Sequence, residues 1–356
     1  MDALKALGMQ VHVVMPKKGP LIEDLQARQI DYQIIPYKVW VEPPIPIWQR
    51  FLFSLWNLLI IYPATFLVGR RKYDLIITNT INLSTGAFVA KLCRLPHVWY
   101  FLEFGLEDHG WRFHLGDKFP IWVMDRFSDL CLTVSRAVAQ KYQTAGITAS
   151  KVHYLYSPMD VTVTQGSSPD IPLDKKTFQL TCVMVARLQE GKRQEDAIRA
   201  IGELRDQGIQ VQLWLVGGGE QNYFNFLKKL IHENNVTEHV RFFGQQKDFL
   251  SYIQKADVFL LCSRCEAFAR VVVQAMKVGK PVVGTRSGGT VEQIKDGFNG
   301  CLYEPYNYKD LAAKIKYLVD HPEETQQMGE NARQWSMRTF TRERYQEKIA
   351  DLLARL

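Results

Sequence analysis

The sequence predicts an α/β protein made of two doubly wound parallel-sheet domains in tandem, and three observations predict it. The chain has 356 residues, too many for one compact core and about right for two. Short β-branched runs alternate with longer helical patterns in both halves, which implies crossover connections and parallel sheets covered on both faces. Between the two series, residues 160–176 are polar and aperiodic, as a linker is. The expected boundaries are therefore a first domain at 1–160, a linker at 161–176 and a second domain at 177–335. A C-terminal helix at 336–356 is expected to pack back toward the first domain.

In the first half, residues 11–15 form a β-branched run that stops at Pro16, a strand entering a loop, and 30–35 give a second short strand. Residues 51–69 carry no charge and are bracketed by Arg50 and by Arg70, Arg71 and Lys72. That length passes the rough threshold of ~18 apolar residues for a membrane span. Ser54, Asn57, Pro63 and Thr65 within it, and the strand that follows at once, favour a buried or half-buried domain helix. A membrane-surface patch is the second reading and a span the third. Then come a strand at 74–78, a helix at 84–92, a strand at 97–102, a helix at 121–127 and a strand at 130–134. After the linker the alternation restarts with strands at 181–185, 211–216, 240–243, 258–261 and 281–283. Helices are read at 195–204, 249–255, 268–277 and 311–319. In such folds ligands sit at the carboxyl ends of the strands, and a cleft between the domains is the expected place for a site.

Composition narrows the function. Apolar residues make up 47% and charged residues 23%, which excludes a disordered chain, a fibrous repeat and a small disulfide scaffold. The net charge is +7, and the isoelectric point near 9.0 favours anionic partners. The surplus is not gathered in an arm, and no aromatic-interleaved basic face is visible, so no nucleic acid partner is expected. Cys262 and Cys265 have CxxC spacing, but no second pair completes a zinc site. No metal is expected, and the six cysteines read as reduced, buried thiols of a cytoplasmic protein. Residues 1–5 lack the basic leader and apolar core of a signal peptide.

Three loops in the second half carry chemistry. Arg187 and Lys192 lie five residues apart on the loop leaving a strand, where two cations can converge on one phosphate. Gly217, Gly218 and Gly219 close the next strand and allow a close backbone approach, or serve only as a flexible turn. They are no dinucleotide fingerprint, because the helix-opening third glycine is absent. The segment 262–271 runs from a buried strand through Glu266 into a helix, whose N-terminal amides suit a diphosphate. Glu266 can accept hydrogen bonds from sugar hydroxyls, or simply favour the helix start. Gln274 falls two turns along, on the same face.

These residues, with Phe243 and Gly244, residues 256–260, 279–283 and 287–289, Glu292 and 296–300, resemble the glycosyltransferase family 4 pattern in order and spacing over about 180–350. The first half resembles it more loosely, through 74–77, Glu103, and Val134 with Ser135. The resemblance implies a GT-B fold: two Rossmann-like domains, the second holding a nucleotide-sugar donor and the first an acceptor. It implies retaining, metal-independent transfer of a sugar to a glycan or lipid-linked acceptor, in polysaccharide or glycoconjugate biosynthesis. By position, Arg187 and Lys192 would neutralise the departing diphosphate and Glu266 would grip the donor sugar. The amides of Ala269, Arg270 and Val271 would hold the distal phosphate. Gly217, Gly218, Phe243, Phe268 and Gln274 would complete the donor site, and Glu103, Asp108 and His109 would form a first-domain site.

The chain departs from the family pattern in places. Gln274 replaces a second glutamate, Ala267 and Ala269 replace common glycines, Arg193 stands where a glycine usually follows the lysine, and Tyr100 stands where many relatives have histidine. Against the pattern the chain starts inside the first helix, so the family's first strand and its glycine-rich turn are expected to be missing. These departures keep a second function class open, a non-catalytic relative that binds nucleotide sugar or glycan without turnover. The basic surface and the 51–69 stretch suit peripheral contact with the inner face of a membrane.

Overall fold

The computed structural model describes residues 1–42, 45–161 and 177–356; most of the expected linker lies outside them. The chain forms two compact units, one of residues Met1–Tyr156 with Arg342–Leu356, the other of Ser157–Thr341.

The first unit runs α1 (Asp2–Ala6), β1 (His12–Met15), α2 (Leu21–Ala27), β2 (Asp31–Ile34), β3 (Val41–Glu42), α3 (Ile47–Arg71), β4 (Ile76–Asn79) and α4 (Thr85–Cys93). It continues β5 (His97–Phe101), α5 (Leu106–His109), β6 (Arg112–Phe113), α6 (Lys118–Phe127), β7 (Leu130–Thr133), α7 (Arg136–Thr144) and β8 (Val152–Tyr154). Its main sheet is parallel, in the order β4-β5-β7-β8. All four residues of β7 are buried, as expected of a strand covered on both faces. The alternation predicts one continuous sheet, but among the described residues β1 and β2 pair only with each other, as a separate parallel ribbon. His12 Nδ1 lies 2.6 Å from the Tyr73 hydroxyl, with the two rings stacked. This contact ties the ribbon to the segment entering β4.

The uncharged stretch in the first half is the core of α3, which is more exposed than the expected buried or half-buried domain helix: three of its 25 residues are buried and most are exposed. Asn57, Ile61 and Ala64 face inward, against Ile35 and Val89, while the opposite face is open. Asn57 is satisfied there: its Oδ1 accepts from Lys38 N–H at 2.7 Å and its Nδ2 donates to Lys38 O at 2.9 Å.

The second unit runs β9 (Leu180–Val185), α8 (Gln194–Asp206), β10 (Val211–Val216), α9 (Gln221–Glu233), β11 (Val240–Gly244), α10 (Leu250–Lys255) and β12 (Val258–Leu261). Then follow α11 (Arg270–Lys277), β13 (Val282–Thr285), α12 (Thr290–Gln293), β14 (Gly300–Tyr303), α13 (Tyr308–Asp320) and α14 (Pro322–Thr339). Its six strands are all parallel, in the order β11-β10-β9-β12-β13-β14. Apolar clusters cover both faces, one including Ile198, Leu227 and Ile315, the other Val272, Met276 and Ala332. Residues 336–356 are not one helix: α14 stops at Thr339, and α15 (Arg342–Leu353) buries Ile349 and Leu352 against Val98 and Leu132 of the first unit. The chain thus has the doubly wound α/β architecture in both units. All six cysteines are free, but Cys93 and Cys265 are only half-buried.

Candidate active site

In the second unit β9 and β12 are neighbours, while their successors β10 and β13 lie on opposite sides of them. This is the point where strand order reverses, and the loops leaving the two strands diverge there to leave room for a ligand. The loop after β9 carries Arg187 and Lys192, and the loop after β12 carries Glu266. Lys192 Nζ donates to Glu266 Oε1 at 2.6 Å, with both side chains mostly shielded from solvent. The backbones meet as well, Arg264 N–H donating to Gly191 O at 3.0 Å. Arg187, at the start of the same loop, is exposed, and its carbonyl accepts from the Gln194 side-chain amide at 3.0 Å.

The glycine turn after β10 has a structural duty beside these loops. Gly217 has φ +147°, and a Cβ there would lie 2.0 Å from Ala186 O. Leu188 N–H donates to Gly218 O at 2.9 Å. The turn therefore presses against the β9 loop and fixes the start of the Arg187–Lys192 segment, rather than merely leaving space for a ligand.

Beyond Glu266 the chain enters α11. Ala269, at its N-cap, is clasped by buried Gln293: Ala269 N–H donates to Gln293 Oε1 at 3.1 Å, and Gln293 Nε2 donates to Ala269 O at 3.0 Å. The Ala269 amide expected to face a phosphate is thus already engaged. The N–H groups of Arg270 and Val271 remain as the first-turn donors of a helix without a side-chain cap. Gly289 N–H donates to Glu266 O at 2.7 Å, which anchors the acidic loop from the other side. Gly289 lies in the 287–289 turn that the sequence singles out, whereas Gln293 was the unmarked member of this group. A buried glutamine in a one-turn helix has no periodicity to betray it.

Other predicted donor residues serve packing. The Phe243 ring lies 4.8 Å from Tyr252 and 5.6 Å from Trp214. Phe268 meets Phe340 edge-on at 5.5 Å. Gln274 is half-buried in α11. Arg193 adopts the left-handed conformation, φ +57°, and is held by Asp196 at 2.7 Å and Glu195 at 2.7 Å. Two buried carboxylates thus support a side chain at a position where glycine would need none.

In the first unit, Glu103 lies in the loop after β5, and Asp108 and His109 in the one-turn helix α5 that follows it. Glu103 accepts from Thr80 Oγ1 at 2.8 Å and from Ile81 N–H at 3.3 Å. Burial pushes its carboxyl above the usual range, partly opposed by these hydrogen bonds. Asp108 is committed to structure, since its two oxygens accept from Phe104 N–H at 2.8 Å and Gly105 N–H at 2.7 Å. That is a helix cap, and it leaves little of the carboxylate for a substrate. His109 is exposed and stacks on Trp111 at 4.3 Å. Tyr100, expected at a strand end, donates to Leu155 O at 3.3 Å and packs beside the core of the unit.

Comparison with known proteins gives two adjoining family matches. Residues 1–163 match the Glycosyltransferase Family 4 model and 170–335 the Glycosyl transferases group 1 model. An uncharacterized glycosyltransferase of Methanocaldococcus jannaschii is 32% identical over 130 residues, covering 36% of each chain. The lipopolysaccharide core biosynthesis glycosyltransferase LpsE of Rhizobium meliloti is 30% identical over 182 residues, covering 51% of this chain and 52% of its own. The matched part thus spans between a third and about half of these relatives' lengths. Among solved structures, Anabaena HepE in complex with UDP aligns over 100% of this chain and 94% of its own, with TM-score 0.83 at 23% identity.

Proposed function

The chain belongs to glycosyltransferase family 4, with the GT-B fold, and from that premise we propose that it is a retaining glycosyltransferase. It moves a sugar from a nucleotide-diphosphate donor to a glycan or lipid-linked acceptor in polysaccharide or glycoconjugate biosynthesis. The observation that carries this reading is the meeting of Lys192 with Glu266 at the strand-order reversal, beside the first turn of α11. A donor's diphosphate takes the Lys192 ammonium and the Arg187 guanidinium as counter-charges, with the amides of Arg270 and Val271 on the distal phosphate. Glu266, released from Lys192, accepts hydrogen bonds from the sugar. As the bond from the anomeric carbon to the diphosphate oxygen breaks, negative charge gathers on the leaving group. Cations fixed in place before the reaction stabilise that charge most effectively. The acceptor oxygen bonds to the same face of the anomeric carbon and passes its proton to the departing diphosphate oxygen. HepE, a neighbour with the same fold, binds UDP, and LpsE acts in lipopolysaccharide core synthesis; both support the donor and acceptor classes.

The test is to incubate the chain with a panel of nucleotide sugars and measure nucleotide release with and without acceptor glycans, then read the product's anomeric configuration by NMR. Acceptor-dependent release with retained configuration is expected. Thermal stabilisation by nucleoside diphosphates without any release would overturn catalysis in favour of a binding protein, and an inverted product would overturn retention.

A further inference from the structure

Helix α3 has two unlike faces. Inward, Asn57, Ile61 and Ala64 are buried; at the edge of that face the exposed Trp56 donates its indole N–H to Pro36 O at 2.5 Å. Outward, Ile47, Phe51, Leu58, Leu59, Tyr62 and Phe66 are between 59% and 81% exposed. At 100° per residue they fall within an arc of roughly 120°, joined by Trp48, Leu52 and Leu55. A contiguous apolar face of this kind is rare on a soluble chain unless something covers it.

The charges say what that is. Residues 45–73 contain Arg50, Arg70, Arg71 and Lys72 and neither aspartate nor glutamate. The Arg70 guanidinium lies over the Phe66 ring, its carbon 5.5 Å from the ring centre, so a cation sits at the border of the apolar arc. Arg50 is half-buried with its Nε donating to Ile45 O at 2.9 Å, while the exposed cations, Arg70, Arg71 and Lys72, gather at the C-terminal end of a helix about 38 Å long. That matches the interface of a leaflet rich in anionic lipid, with acyl chains under the arc and headgroup phosphates at its cationic C-terminal end.

We propose that α3 is a monotopic membrane-docking helix that lies in the plane of an anionic leaflet and seats the protein at the membrane's inner face. The helix is long and apolar enough to span, but its inner face is committed to the first unit. Spanning would strip Asn57 of both Lys38 hydrogen bonds and place it in hydrocarbon. The inference stands on this face alone and does not depend on the transferase reading.

Flotation of the full chain with phosphatidylcholine vesicles, with and without phosphatidylglycerol, tests it. The chain should float with the anionic vesicles, less so as salt is raised. Leu58→Glu/Leu59→Glu should lower binding by about tenfold or more with an unchanged melting curve. Arg70→Gln/Arg71→Gln should lose the preference for phosphatidylglycerol. Should the double glutamate variant fail to fold, quenching by brominated lipid decides: Trp48 fluorescence, identified by its loss in Trp48→Phe, should be quenched in anionic vesicles. The proposal is overturned if the chain stays at the bottom of the gradient with both vesicle types, if the double variant floats like the parent, or if Trp48 is not quenched. Self-association in vesicle-free solution that the double variant abolishes, with no vesicle binding, would overturn it in favour of a second copy on this face.

Discussion

Lys192 and Glu266, 74 positions apart in the chain, form a 2.6 Å ion pair at the point where the second sheet reverses its strand order. Each neutralises the other, so neither charge is left uncompensated in a half-shielded site. Under the proposed function, a donor replaces the carboxylate by a diphosphate on Lys192 and the ammonium by sugar hydroxyls on Glu266. Both charges stay paired through the exchange.

Lys192→Ala and Arg187→Ala should each lower turnover by about 100-fold or more, equivalent to ~3 kcal/mol of transition-state stabilisation. Steady-state rates with saturating donor are the measurement. Near-normal turnover in both variants would remove the proposed role of this loop.

Gln274→Glu should preserve or raise affinity for a nucleoside diphosphate, measured by calorimetry, because a carboxylate bonds hydroxyls with charge assistance that an amide lacks. A sharp loss would mean that Gln274 does not face the ribose.

Gly289→Ala should destabilise the second unit by roughly 2–4 kcal/mol. A Cβ there would lie 2.1 Å from Ala267 O, and Gly289 N–H also anchors Glu266 O. Backbone on both sides of the clash leaves no flexible side chain to yield. A melting temperature equal to the parent's would contradict the close approach.

His97 should make the first unit acid-sensitive. Its ring is buried, with Nε2 2.8 Å from Thr78 Oγ1 and Nδ1 3.2 Å from Ser128 Oγ, and burial pushes its pKa down to about 3. The folded state thus holds the ring neutral while the unfolded chain protonates it near 6.5. Its contribution is intact above that value and is lost as pH falls through the window between about 6.5 and 3. The loss at pH 5 is about 2 kcal/mol. Urea denaturation at pH 7 and pH 5 should show it, and His97→Gln should shrink the difference; an equal difference in both proteins would assign the acid response to other groups.

What was legible in the chain follows from local physics. A strand such as β12 is a continuous apolar run because both faces are covered, and such runs need no tertiary information to be seen. The alternation of these runs with helices gave the two-unit α/β architecture, and the spacing from Arg187 to Lys192 and the run into Glu266 singled out two loops that the fold brings together. Some elements escaped: α9, although Phe224, Leu227, Leu230 and Ile231 recur at helical spacing, the more polar α14, and the one-turn α12 that supplies Gln293.

The tertiary structure decided the partnerships. Strand adjacency at the reversal brings Lys192 to Glu266, an arrangement that residues 74 positions apart cannot announce. It spends Asp108 on capping and the Ala269 amide on Gln293, because backbone donors withdrawn from water must find acceptors wherever the fold places them. It also turned one face of α3 outward. Hydropathy along a sequence measures how apolar a helix is, and only packing against neighbours determines which of its faces stays open.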